Sequence, residues 1–232
     1  HLHGGANLIS FSAFPDSISF YPDRISISSV FGECLNETGN GVMGAGAGAV
    51  LIGGEWIGSL NEISQEDGYW AILQESCDLH MDDAIPTNHD DDGEVVYEME
   101  YGPNLISYSH LEIQYLEDAL GDAVDFVFAI LGEGEAAIHN DDWGGSLTQF
   151  KPNHGYWIIA LESFSFSFNE PMEGMTRVTL DVDPRVIPEP HGFVQSSRQA
   201  FFFVENAEID DMALEEEDML IAYNGDVVVG AR

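Results

Sequence analysis

The chain has 232 residues, of which 44% are hydrophobic and 11% aromatic, so it can build packed cores and is not globally disordered. Forty-two Asp and Glu face six Lys and Arg, a formal charge of −36. That balance excludes a nucleic-acid partner and an anionic membrane surface, both of which need cationic protein surface, and no apolar run of about eighteen residues is present to insert in a bilayer.

The chain opens "HLHGG", without Met and without a basic, apolar leader, so any signal peptide is expected to be gone already. "NLISFSA" (7–13) alternates apolar and small polar residues and predicts a half-buried strand. "SSVFGECL" (28–35) predicts a short helix. "GVMGAGAGAVLI" (41–52) predicts a strand broken by glycines, with bulges or close backbone approach. "SLNEI" (59–63) reads as a turn or helical turn, and "GYWAIL" (68–73) as an apolar, aromatic strand. An acidic stretch with Pro and Gly, "DLHMDDAIPTNHDDDGEV" (78–95), predicts a linker or long surface loop.

The same series then recurs. "NLISYS" (104–109) repeats "NLISFS" (7–12), and "GEGEAAI" (132–138) repeats "GAGAGAV" (44–50). "WGGSLTQFKPNHGYW" (143–157) repeats "WIGSLNEISQEDGYW" (56–70), and "LEDALGDAV" (116–124) predicts the second short helix. Four matched blocks in one order make a duplicated module. Asn7 to Trp56 is 49 steps and Asn104 to Trp143 is 39, so the first copy carries about ten extra residues. These are assigned to "DSISFYPDRI" (16–25), a Pro-containing surface insertion. Beyond Phe168, "TRVTLDVDPRVIP" and "QAFFFVENAEI" predict strands. "DMLIAYNGDVVVGA" predicts a hairpin with Asn224-Gly225 as a type I′ turn. The expected fold is therefore mainly β with short helices: a first repeat (1–78), an acidic linker (79–97), a second repeat (98–168) and a distinct β module (169–232).

The pattern "NLIS…WxGSL…GYW" resembles a repeated module of large secreted or cell-surface proteins of marine and environmental bacteria. The tail "GFVQSSRQAFFFVENAEI…DMLIAYNGDVVVGAR" resembles a β module found beside it, which there runs on past the hairpin. The resemblance spans most of the chain outside the acidic linker. It implies secretion, surface association and a multidomain parent, and it carries over no catalytic residues.

Trp56, Trp70, Trp143 and Trp157 are the only tryptophans. Trp70 and Trp157 begin apolar strands and are expected in a core. Trp56 and Trp143 stand beside Gly and acidic residues and are the candidates for stacking on a sugar ring, as two duplicated sites. Acidic runs at Asp90, Asp91 and Asp92 and at Asp141 and Asp142 offer oxygen ligands that suit calcium, set against plain solvated loops. Neither has the EF-hand spacing. Cys34 and Cys77 either pair in an oxidising compartment or stay as buried thiols. There is no G-x-S-x-G elbow, no Walker loop and no H-E-x-x-H. The expected function is a secreted, non-catalytic module for attachment, matrix or filament assembly, or carbohydrate binding, with glycans or copies of itself as partners. The alternative is a secreted hydrolase of polysaccharides or esters using His139 with Asp141 or Asp142.

Overall fold

The computed structural model describes residues 1–15, 24–31, 34–35, 39–81, 84–86, 95–171, 207–209, 212–213 and 218–231. Among the described residues 48% are in strands and 10% in helices, so the fold is β-rich. It divides into two compact units, His1–Glu173, which holds both repeats, and Gly174–Arg232.

Repeat one contains β1 (Gly5–Ile9), β2 (Ala13–Pro15), β3 (Arg24–Ser26), α1 (Ile27–Phe31), β4 (Gly41–Met43), β5 (Gly48–Ile52), β6 (Glu55–Gly58), β7 (Glu62–Ser64) and β8 (Tyr69–Leu73), followed by β9 (Ala84–Pro86). Repeat two contains β10 (Tyr97–Met99), β11 (Gly102–Ile106), β12 (Gln114–Tyr115), α2 (Leu116–Leu120), a 3-10 turn (Gly121–Phe126), β13 (Val127–Leu131), β14 (Ala136–Asn140), β15 (Asp142–Gly145), β16 (Gln149–Phe150), β17 (Tyr156–Ala160) and β18 (Phe164–Phe166). Each repeat is a five-stranded antiparallel sheet of the same order, β1-β8-β4-β5-β6 and β11-β17-β13-β14-β15.

Alternation along these strands sends Tyr69, Ala71 and Leu73, or Tyr156, Ile158 and Ala160, to the repeat's own core. The short helix closes that core. Ser26 Oγ accepts the Ser29 N–H at 3.3 Å and starts α1, whose Ile27, Val30 and Phe31 are buried. In both repeats a core tyrosine hydroxyl accepts a backbone N–H five residues upstream: Ser64 to Tyr69 and Lys151 to Tyr156, each at 2.7 Å. Cys34 and Cys77 are bonded, with Cα atoms 5.5 Å apart, and close a loop of 43 residues. Leu2 pairs with Cys77 as Met99 pairs with Phe164, and "FGECL" aligns with "LGDAV". Ala123 and Phe164 therefore occupy the equivalent positions in repeat two, packed in its core.

Three expectations change. The glycine tract is two strands joined by a turn, Gly44 N–H to Ala47 O at 2.9 Å, with Gly46 at φ +78°. "SLNEI" and "SLTQF" end in strands, β7 on β3 and β16 on β12, because Ile63 and Phe150 face the cores. The acidic linker is pinned midway, since β9 pairs with β2, which directly precedes the assigned insertion. Ser12 to Ile25 is 13 steps and Ser109 to Gln114 is 5, so eight of the extra residues lie between Ser12 and Ile25.

In the C-terminal unit the described residues form β19 (Glu208–Ile209) with β20 (Met212–Ala213), and β21 (Ile221–Asn224) with β22 (Val227–Ala231). Asn224 pairs with Val227, so the two loop residues are Gly225 and Asp226, with φ positive only at Gly225. The turn is shifted by one residue from Asn224-Gly225, and it lacks the second positive φ that type I′ needs. The predicted strand at 176–188 lies outside the described residues, as do residues 199–206 of the one predicted at 199–209, whose end is β19.

The two repeats meet through reciprocal contacts. Ile9 bridges His154 and Ile106 bridges Asp67; Ile106 follows Ile9 by 97 residues and His154 follows Asp67 by 87, the offsets of the duplication itself. Ser10 N donates to Asn153 O at 3.0 Å and Gly155 N to Leu8 O at 3.2 Å. Reciprocally, Ser107 N donates to Glu66 O at 3.0 Å and Gly68 N to Leu105 O at 3.4 Å. On the sheet faces turned away from each repeat's own core, Ala6, Leu8, Trp70 and Leu105 form a third buried cluster flanked by Ile72 and Trp157. This is isologous contact of the kind a symmetric dimer makes, built inside one chain.

Candidate functional site: the cleft between the repeats

Where the start of repeat one crosses repeat two, a cleft of about 560 Å³ opens. That volume falls in the range of small-ligand sites. One wall is the segment from His1 through β1, and the other is the Gly132–Glu135 turn with the loop 151–154. Leu79 and Met81, from the segment after β8, and Pro152 supply apolar surface.

The polar groups are held by hydrogen bonds that cross between repeats. Glu133 accepts the Leu8 N–H at 2.7 Å with one oxygen and meets His3 Nε2 at 2.7 Å with the other. His3 Nδ1 contacts Gly4 O at 2.9 Å. The Gly4 carbonyl and the Glu133 carboxylate raise the His3 imidazole above its ordinary value, against partial burial that lowers it. Lys151 Nζ donates to both Glu135 oxygens, at 3.1 and 3.3 Å. Asn153, in left-handed backbone at φ +62°, accepts from Ser12 Oγ at 2.9 Å. Burial, and then the Lys151 charge, push the His154 imidazole below its ordinary value, so it is neutral at pH 7.

Lys151 is the only lysine in the chain, and His1, His3 and His154 are three of its eight histidines. Their convergence breaks the symmetry of the repeats. By the duplication offsets, His3 corresponds to Glu100, Glu133 to Ala45, Glu135 to Ala47, Lys151 to Ser64, Asn153 to Glu66 and His154 to Asp67. The other junction thus has the same backbone contacts and none of these basic groups.

The residues singled out in the sequence lie elsewhere. Trp70 is 5% exposed, and Trp157 is half-buried beside it in the junction cluster. Trp56, on β6, is half-buried with its ring 6.3 Å from Phe31. Trp143, on β15, is half-buried over the core of repeat two, 4.9 Å from the His139 ring, and its indole N–H is buried without a hydrogen-bond partner. Both these tryptophans face their own core and cover its margin. His139, Asp141 and Asp142 belong to the β14–β15 hairpin, with Asp141 at φ +65° in the turn, and none of the three lines the cleft. Asp90, Asp91 and Asp92 lie outside the described residues. Among the described residues no three His, Cys, Asp or Glu side chains gather as a metal site would require.

The cleft residues themselves carry no motif. The signal for them was the chain's single lysine and the positions at which the two repeats differ. Comparison with known proteins finds no matching family model, curated protein or solved structure.

Proposed function

We propose that the chain is a non-catalytic extracellular module that attaches to its surroundings by binding a small polar ligand in the cleft between its repeats. The observation that carries this reading is the convergence of Lys151, His3 and His154 with Glu133 and Glu135 in a chain of charge −36. The architecture alone does not call for them, because the second junction is built without such groups. The Cys34–Cys77 bond supports an oxidising, extracytoplasmic setting, and the acidic surface suits a saline medium in which salt, calcium included, screens self-repulsion.

The test is calorimetric titration or ligand-detected NMR of the full chain with a panel of sugars, amino acids and other small polar compounds, in calcium-containing salt. Saturable binding that weakens in Lys151→Ser supports the reading. The opposing class, hydrolysis through His139 with Asp141 or Asp142, would show as turnover of polysaccharides or p-nitrophenyl esters that His139→Ala abolishes, and that result would overturn it.

A further inference from the structure

We infer that the cleft takes a neutral, hydroxyl-rich ligand, a unit of one or two sugar rings, recognised by Lys151, Glu135, Asn153 and the His3–Glu133 pair. The inference rests on the binding-module reading above and adds the chemical class of the ligand.

The first argument is charge. The ionic groups of the cleft are matched within the protein: Lys151 against Glu135 at 3.1 Å and His3 against Glu133 at 2.7 Å. An anionic ligand would have to take Lys151 from Glu135, leaving a carboxylate with a second negative charge beside it. A cation would likewise displace His3 or Lys151. Both exchanges give up a charge-assisted bond already formed.

The second argument is hydrogen-bonding capacity. An ammonium has three donors, and a carboxylate accepts about four hydrogen bonds. Asn153 uses its carbonyl oxygen on Ser12 and turns a two-donor NH₂ group to further use, while neutral imidazole at His154 offers one donor and one acceptor. An alternation of donors and acceptors, with Lys151 and His3 each already paired to a carboxylate, matches vicinal hydroxyls, each of which both donates and accepts. The third argument is apolar surface: Leu79, Met81 and Pro152, all partly exposed, give the C–H face of a sugar ring somewhere to lie.

The duplication supplies variants that test this without disturbing the fold. Repeat one carries Ser64 and Ala47 where repeat two carries Lys151 and Glu135, on the same backbone. Lys151→Ser and Glu135→Ala therefore replace each group by the residue its counterpart already uses, and melting should shift little. The full-length chain is titrated by calorimetry and by ligand-detected NMR with neutral mono- and disaccharides, their uronic acids, zwitterionic amino acids and quaternary amines. Neutral sugars are expected to bind, and each variant to weaken them about tenfold or more, the loss expected for a hydrogen bond to a charged group. Binding of neutral sugars that is unchanged in both variants overturns the inference. If only charged compounds bind and the variants abolish it, the cleft is a binding site but the ligand class is wrong. If no compound of any class binds, the binding-module reading falls too.

Discussion

Gly155 and Gly68 make the sharpest test of the junction. Neither has a left-handed backbone; what they need is the absence of a side chain. A Cβ on Gly155 would lie 2.7 Å from Ile9 O, 3.2 Å from Leu8 Cδ1 and 3.3 Å from Gly68 Cα. At Gly68 the corresponding distances are 2.7 Å to Ile106 O and 2.8 Å to Leu105 Cδ1. The nearest atom in each case is backbone of a paired strand, so it cannot swing aside. Gly155→Ala must push β1 away, which overpacks the Leu8–Trp70–Leu105 cluster at about 1–3 kcal/mol. It also stretches the Gly155 N–H bond to Leu8 O, worth about 1 kcal/mol. Together they give about 2–4 kcal/mol, or a melting point lower by roughly 5–15 °C for a unit of this size. Denaturant unfolding followed by tryptophan fluorescence measures it, with Gly144→Ala as control, since a Cβ there meets nothing within 4 Å. In the double variant Gly68→Ala/Gly155→Ala the costs should sum to less than the two singles, because the first already opens the shared junction. A Gly155→Ala protein as stable as Gly144→Ala would refute the close approach, and strict additivity would refute the shared junction.

Removing the disulfide by Cys34→Ser/Cys77→Ser releases a 43-residue loop and should lower stability by about 2–4 kcal/mol in denaturant titration. Cys34→Ala/Cys77→Phe, which copies Ala123 and Phe164 of repeat two, should recover part of that loss. Trp143→Phe discards a buried, unpartnered N–H and should stay within about 1 kcal/mol of the parent. Trp70→Ala should instead cost about 3–5 kcal/mol, and equal costs for the two would refute their assignments. The folded-state imidazole of His154 sits below its ordinary value of 6.5, so the unfolded chain takes up that proton first. The associated stability is present above pH 6.5 and lost as pH falls towards the folded value. His154→Asn should gain relative to the parent as pH falls from 7 to 5 in melting scans, while His3, shifted the other way, stays unchanged in both proteins.

Much of the fold could be read from periodicity and self-comparison. Alternation in "NLIS" and "GYWAIL" marks strands, and the same blocks in one order mark two copies, because these signals live in short stretches of chain. The short helices were visible for the same reason. What escaped was whatever depends on a partner distant in sequence. "SLNEI" forms a strand only because β3 lies beside it, and the acidic linker is held only because β9 finds β2 near the start of the chain. The tryptophan pair lies away from the cleft. Trp56 and Trp143 stand among Gly and acidic residues, yet the pleat turns both rings onto their own cores. Nothing local in "FKPNHGYW" indicates that Lys151 and His154 face His3, more than 140 residues earlier.

The duplication itself separates the residues that build the fold from those free to differ between the copies. Asn7 and Asn104 each close the preceding turn with the same pair of bonds, to His3 and to Glu100. The following leucines fill the junction cluster, and the glycines of both "GYW" phrases admit β1 or β11 of the other repeat. These repeated residues all have a packing or backbone role, which is sufficient to explain why each occurs twice. Positions that differ between the copies are released from that requirement. At one junction they are Glu100, Ala45, Ala47, Ser64 and Asp67, and at the other His3, Glu133, Glu135, Lys151 and His154. A chain with a single lysine has placed it on the unsymmetrical side. If the cleft served only packing, converting it to the repeat-one residues should leave every binding property as it was. Loss of ligand with unchanged melting in Lys151→Ser and Glu135→Ala would assign those differences to recognition rather than to the fold.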